Sequence, residues 1–318
     1  MNPILETAKF VVDRSDFVKI NHERLVEFAK GFSHKDIQHW MSAAPFDFSD
    51  LSDEQILHFV ILFNVLSFCY WGEPKWTIKY RNESYDGAWG MIVAIGRGIE
   101  EGFALLDFGY CAQISKEDFA HILRGNVEIP LFEERWNILR DVGRVMVERY
   151  HGNASELVAE AKGDAQKLVA LLVEHFPSLK DASMYKGREI SFSKRAQLLV
   201  ADIYQIFNGQ DLGTLADVDQ LTACADYKLP QILRKLGVLE YVDMLAERID
   251  AQIELDHGSP EEVELRANTI WAVDLITKEV QKHTPSILPF QVNDHLWLST
   301  QVKVAGDKPY HRTRTTAY

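Results

Sequence analysis

Three short segments set charged side chains inside apolar sequence in ways that a core alone would not need. In Ser193-Lys194-Arg195-Ala-Gln197-Leu-Leu-Val-Ala-Asp202, two cations at a helix start precede a carboxylate. At about 3.6 residues per turn, Lys194 and Asp202 fall about 80° apart on the helical wheel, so both can border one cavity. In Leu221-Thr-Ala-Cys-Ala-Asp226-Tyr227-Lys228-Leu-Pro230, a helix ends, a charged turn follows, and Pro230 opens a new helix that Gly237 stops. Asp226 in that turn is either a carboxylate held for chemistry or an N-terminal cap. In Glu262-Val-Glu264-Leu-Arg266 the acid and base are an i,i+4 pair, which on spacing alone reads as a solvated helix pair. Carboxylates and lysines converging on one cavity are the residue types for nucleophilic or electrostatic work on a small molecule.

Other chemistries lack their residues. Gly96-Arg-Gly98-Ile-Glu-Glu-Gly102 has one residue too many for a dinucleotide loop, and Ala88–Ile95 before it reads as helix instead of the required strand. His34 and His39 are five apart, there is no H-E-x-x-H, and no Cys/His cluster has zinc-ligand spacing, so neither metal nor organic cofactor is expected. No G-x-S-x-G elbow or phosphate-binding loop is present. Cys69, Cys111 and Cys224 lie far apart, as in a reduced cytoplasmic chain.

The elements that must position these groups read as mainly helical. Ser52 with Gln55 makes a capping box, and Ser259-Pro260-Glu261-Glu262 makes another, with proline at the first helical position of a helix to about His283. Leu157, Ala161, Ala165, Leu168, Leu172 and Phe176 trace one face of an amphipathic helix ending at Pro177. Strand signals are confined to Trp76-Ile78-Tyr80 and Ile190-Phe192. The run Ile56–Trp71 is too short to span a membrane and carries His58, Asn64 and Ser67, so it reads as a buried helix. The N-terminus reaches charge before an apolar stretch can form, unlike a signal peptide. No linker or repeat divides the 318 residues, which predicts a single mainly α domain over 1–318 with a few short strands. The net charge of −13 and pI near 5.3 disfavour a nucleic-acid partner and favour small-molecule chemistry. On composition alone, Lys303, Lys308, Arg312 and Arg314 against Asp307 read as a frayed basic tail.

Taken together, the sequence resembles the queuosine salvage protein family, the queuosine 5′-phosphate N-glycosidases. The matching pieces run through nearly the whole chain: Asn64-Val-Leu-Ser-Phe68-Cys-Tyr-Trp71, Ile122-Leu-Arg124-Gly125, Pro130-Leu-Phe-Glu-Glu134-Arg135, Phe176-Pro-Ser, Lys194-Arg-Ala-Gln197, Ala201-Asp202, Ala225-Asp226-Tyr227-Lys228-Leu-Pro230-Gln231, Glu262-Val-Glu264-Leu-Arg266 and Pro309-Tyr-His311-Arg312-Thr-Arg314. The resemblance implies a helical protein distantly similar to helix-hairpin-helix DNA glycosylases that cuts the bond between queuine and ribose 5-phosphate. It places Asp226 and Lys194 in the active site and likens Asp202 to a carboxylate that recognises the base. The 5′-phosphate then needs a local cationic pocket in an acidic protein, with Lys194, Lys228, Arg266, Arg312 and Arg314 as candidates. Phe68, Trp71 and Tyr227 are candidates to stack on the flat base, with core packing the alternative for the first two. Glu262 and His311 complete the expected substrate-binding set, and the match at the C-terminus implies that Pro309–Arg314 is docked. Ser193 stands where the family more usually has an aromatic, Cys224 where it has Phe, and Lys228 where it has Arg. The competing functions are a non-catalytic carrier of queuine or modified nucleotides and a glycosylase acting on nucleic acid.

Overall fold

Helix starts follow local chemistry. Ser52 Oγ accepts from the Gln55 N–H (3.3 Å) and Gln55 Oε1 accepts from the Ser52 N–H (2.9 Å), which satisfies two orphaned donors at the head of helix Asp53–Leu66. Ser259 likewise accepts from the Glu262 N–H at the start of helix Pro260–Val280, which ends short of His283. Glu262 itself reaches past the cap to the Gly258 N–H (3.1 Å), so the second half of that box is displaced by one residue. These observations come from a computed structural model that describes residues 2–32, 35, 38–302 and 304–318; His34 and Lys303 lie outside the described residues.

The apolar run Ile56–Trp71 is buried, as helix to Leu66 and then as an irregular segment. Its polar interruptions find partners in part: His58 Nδ1 lies 2.7 Å from the Leu106 carbonyl, and Asn64 donates to the Val60 carbonyl (3.0 Å), while Asn64 Oδ1 has no partner among the described residues. The stripe Leu157–Phe176 is not one helix. Lys162 and Gly163 take left-handed φ values of 56° and 74°, splitting it into Ala154–Glu160 and Ala165–His175. Asp164 then caps the second piece by accepting from the Lys167 N–H (2.9 Å), so a stop and a start signal override an unbroken apolar period.

Three two-stranded antiparallel sheets accompany fourteen α-helices among the described residues. Thr77–Tyr80 pairs with Glu83–Asp86, and Ala182–Tyr185 with Arg188–Ser191, as the alternating residues predict. The third, Val18–Ile20 with Leu239–Tyr241, joins distant parts of the chain and had no local signal. Gly96 and Gly98 lie inside helix Gly87–Glu100, where a Cβ would run into the Phe46 ring and the Leu105 side chain; they permit close packing and cradle no phosphate. No helix among the described residues is long and apolar enough to cross a membrane.

Two main cores form. One gathers Asp53–Leu66, Gly87–Glu100, Phe132–Tyr150, Ala165–His175 and Lys194–Ile206; the other gathers His22–Gly31, Lys228–Lys235, Asp243–Asp250, Pro260–Val280 and Pro289–Ser299. Their seam positions the site.

Candidate active site

A cavity of about 260 Å³ opens at that seam. Part of its wall is aromatic: Trp40 packs on Phe63 (ring centroids 4.8 Å apart) and Trp89 meets Trp297 edge to face (5.3 Å). Helix Pro289–Ser299 turns Asn293, Asp294 and Trp297 toward the cavity at helical spacing. Asp294 is 3% exposed and accepts from the side-chain amides of Gln205 (2.9 Å) and Asn293 (3.1 Å). Burial pushes its carboxyl up to about 6; the His39 charge and the two amide bonds oppose this, and the neighbouring Asp202 adds to it.

Next to this group stand Lys194, Cys224 and Asp226. Lys194 begins helix Lys194–Ile206, after Ser193 in a left-handed conformation, and its N–H donates to Asp181 (3.1 Å). Asp226 Oδ1 accepts from the N–H groups of Lys228 (2.7 Å) and Leu229 (3.1 Å). It therefore caps helix Lys228–Lys235 and lines the cavity at once, so the capping position does not take it out of the cavity wall. Burial drives the Cys224 thiol far above its ordinary range, so it is a neutral wall group.

The remaining wall is cationic and phenolic. It contains Phe68, Tyr70, Lys75, Tyr227, Lys228, Tyr310 and Tyr318, with Lys75 paired to Asp86 (2.8 Å) and Lys228 over the Tyr310 ring (4.9 Å). An adjoining cavity of about 280 Å³ shares Lys75, Lys228 and Tyr310 and adds Lys235 and Lys308.

Five expected residues thus line the cavity: Phe68, Lys194, Asp226, Tyr227 and Lys228. The others do not. Asp202 is fully buried one layer behind, accepting from Trp40 Nε1 (2.8 Å) and Asn64 Nδ2 (2.8 Å) with His39 Nε2 at 3.2 Å; the wheel gave its angle but not its depth, and Trp40 stands between it and the cavity. Glu262 and Arg266 do not form a solvated pair, and neither lines the cavity. Arg266 is wholly buried, donates from Nε to the Ala225 carbonyl (3.1 Å) and grips Asp181 with both terminal nitrogens (2.8 and 2.5 Å). One guanidinium so ties the irregular segment before Asp226 to the carboxylate that holds the Lys194 N–H. Burial raises the Glu262 carboxyl, but hydrogen bonding to His257, the Arg266 and His257 charges and the Tyr318 hydroxyl (2.8 Å) bring it down to about 2.

Trp71 is buried behind Phe68 and donates to the Thr313 carbonyl (3.2 Å). The C-terminal segment is docked and not frayed: the Leu255 N–H donates to the Arg312 carbonyl and the Cys69 N–H to the Tyr318 carbonyl (both 2.8 Å). Its cations miss the cavity all the same, since Arg312 pairs with Glu73 (2.6 Å) and Arg314 with Glu254 (3.5 Å) at the surface. His311 is buried against the Tyr318 hydroxyl (3.2 Å). Sequence reasoning missed Trp40, Lys75, Trp89, Asp294, Trp297, Tyr310 and Tyr318 as wall residues. The pair Asn293-Asp294 with Trp297 one turn on, in a helix opened by Pro289, was the available signal.

A mainly helical protein with an aromatic-walled cavity, one carboxylate held beside a lysine and cations along the opposite wall is built to receive a flat, anionic small molecule. Residues 48–318 match the profile described as queuosine salvage protein, and the chain belongs to that family. It is similar to a Queuosine 5′-phosphate N-glycosylase/hydrolase of Sphaerobacter thermophilus (39% identical, covering 99% of this chain and 97% of that one). Proteins of the same name from Mus musculus (33% identical, 98% of each chain) and Schizosaccharomyces pombe (31%, 97% and 94%) are also similar.

Proposed function

We propose that this chain is an N-glycosidase that hydrolyses queuosine 5′-phosphate to queuine and ribose 5-phosphate, for queuine salvage and so for tRNA queuosine modification. The observation that carries this reading is the meeting of Asp226 and Lys194 in one cavity between aromatic–acidic and lysine-bearing walls, in a member of this family.

Breaking the bond develops positive charge at C1′ and negative charge on the departing base. Both backbone hydrogen bonds to Asp226 fall on Oδ1, so Oδ2 is the oxygen that meets C1′, stabilises the oxocarbenium-like state and takes the proton of the attacking water. Queuine is a 7-deazapurine and lacks the ring nitrogen that purine glycosidases often protonate. Lys194 balances charge on the departing base electrostatically, and the base anion then takes a proton from solvent while Asp226 returns the one it took from the attacking water, so that one water is consumed for each bond cut. Asp294 takes the role expected of Asp202, accepting the N–H groups of the guanine-like edge between Trp40, Trp89 and Trp297. Asp202 acts through Trp40, which it orients. Lys75 and Lys228 receive the phosphate, with Tyr227 and Phe68 beside them.

No step in this scheme uses a metal, a cofactor or nucleic acid. Residues 1–318 act as a single domain, a reading supported by cavity walls drawn from Trp40 through Tyr318, and the cytoplasm as its compartment is supported by three buried, free cysteines. The distant likeness to helix-hairpin-helix DNA glycosylases belongs to the same proposal, supported by a helical body whose cleft holds an aspartate and a lysine. Incubation with queuosine 5′-phosphate in EDTA should yield free queuine and ribose 5-phosphate in equal amounts. Tight binding without product would make the protein a carrier, and activity only after a divalent ion is restored would contradict the metal-free scheme.

A further inference from the structure

Arg135 and Arg195 are 0% and 1% exposed, and no carboxylate is among their hydrogen-bond partners within the described residues. Arg135 donates to the carbonyls of Phe68, Cys69 and Pro130, and Arg195 to those of Val65 and Ser178. The Nε of each has no hydrogen-bond partner among the described residues. Both guanidinium groups lie over the Phe68 ring, at 4.0 and 5.0 Å, and Arg135 also lies over Tyr70 at 5.3 Å. Phe68 and Tyr70 are cavity wall.

Carbonyl oxygens satisfy N–H groups but bring no net charge, so two positive charges stand behind one wall without a counter-ion of their own. Asp181, whose charge acts on Arg195, is already gripped by Arg266. Burial lowers both groups, to about 10 for Arg135 and about 9 for Arg195, which leaves them charged at neutral pH. Buried charge without a partner is strongly unfavourable to folding, so its retention needs a compensating anion.

We propose that Arg135 and Arg195 are specificity-determining residues whose fixed charge, acting through the Phe68–Tyr70 wall, makes the cavity select a nucleotide bearing a 5′-phosphate over the same nucleoside without it. The inference rests on the glycosidase reading for its substrate. Its physics is separate: charges in a dry wall are screened little by salt, whereas Lys75 and Lys228 on the open side are screened readily.

The test compares kcat/KM for queuosine 5′-phosphate and queuosine at low and high salt in the wild type, Arg135→Gln, Arg195→Gln and the matching Lys variants. The expected result is a wild-type preference for the phosphorylated substrate that survives high salt, a loss of about tenfold of that preference in each Gln variant through KM, and recovery with Lys. Gln variants that lose both activities equally, or a wild type without preference, would overturn the proposal. Should the Gln variants not fold, competition by ribose 5-phosphate against ribose in the wild type decides: a phosphate advantage abolished by salt rejects buried charge as its source. A wild type that cleaves neither substrate rejects the glycosidase reading, and direct binding of the two sugars then still tests the arginines.

Discussion

Asp226 holds its place through the backbone N–H groups of Lys228 and Leu229, and an amide oxygen can accept the same two bonds. Asp226→Asn should therefore keep the fold and substrate affinity while lowering kcat by roughly 10²–10³, the usual worth of a preorganised group facing transition-state charge. Single-turnover rates with a parallel melting curve check this, and a variant within a few-fold of wild type would leave Asp226 only its cap. Asp294 makes a different prediction. Its carboxyl sits at about 6, so below that pH it is protonated and stops accepting from the base. The kcat/KM profile of the free enzyme should rise through about pH 6, and Asp294→Asn should lose that limb and bind more weakly. Asp226 was legible because a charged turn interrupts apolar sequence and family motifs surround it. Asp294 was not, because the Asn293-Asp294 pair and Trp297 mark one helix face but not which neighbours that face will meet.

Helix Lys194–Ile206 shows what pattern alone leaves out. Its start and the angle between Lys194 and Asp202 were readable, yet two turns of helix carry Asp202 past Trp40 and out of reach of the cavity. The Glu262–Arg266 pair hid its role for the opposite reason, since i,i+4 spacing is the same on a solvated helix and on one buried on all sides. Arg266 joins the segment before Asp226 to the Asp181 carboxylate, so Arg266→Met should leave a buried carboxylate unpaired and cost about 3–5 kcal/mol, measured by denaturant unfolding. Activity should fall further than the folded fraction explains, because Lys194 loses its anchor. The long-range pair Val18–Ile20 with Leu239–Tyr241 was invisible in sequence for want of any turn connecting it.

Across the whole molecule the C-terminal segment links stability to the site. Tyr318 lines the cavity and donates to Glu262 (2.8 Å), so deleting residues 309–318 should lower the melting temperature and raise KM together. Acid should act through the same network. Burial and the Arg266 charge, opposed by Glu262, hold His311 at about 4 against its usual 6.5, so the unfolded chain takes up a proton first and stability is lost as pH falls from about 6.5 to 4. Glu262, held at about 2 against 4.5, extends the loss below pH 4.5. Unfolding midpoints measured from pH 7 to 4 should flatten in His311→Asn over the first interval. The cavity wall is also spread along the chain, from Trp40 to Tyr318, with Asp226, Asp294 and Tyr310 all in its last third. During synthesis the segment from Asp226 to Tyr318 must therefore clear the ribosome before the cavity wall is complete, and the early aromatic wall lacks its partners until then. A nascent chain stalled with Tyr318 still inside the ribosome should bind no nucleotide and should engage chaperones, whereas emergence of Tyr318 should bring ligand affinity and protease resistance in one step.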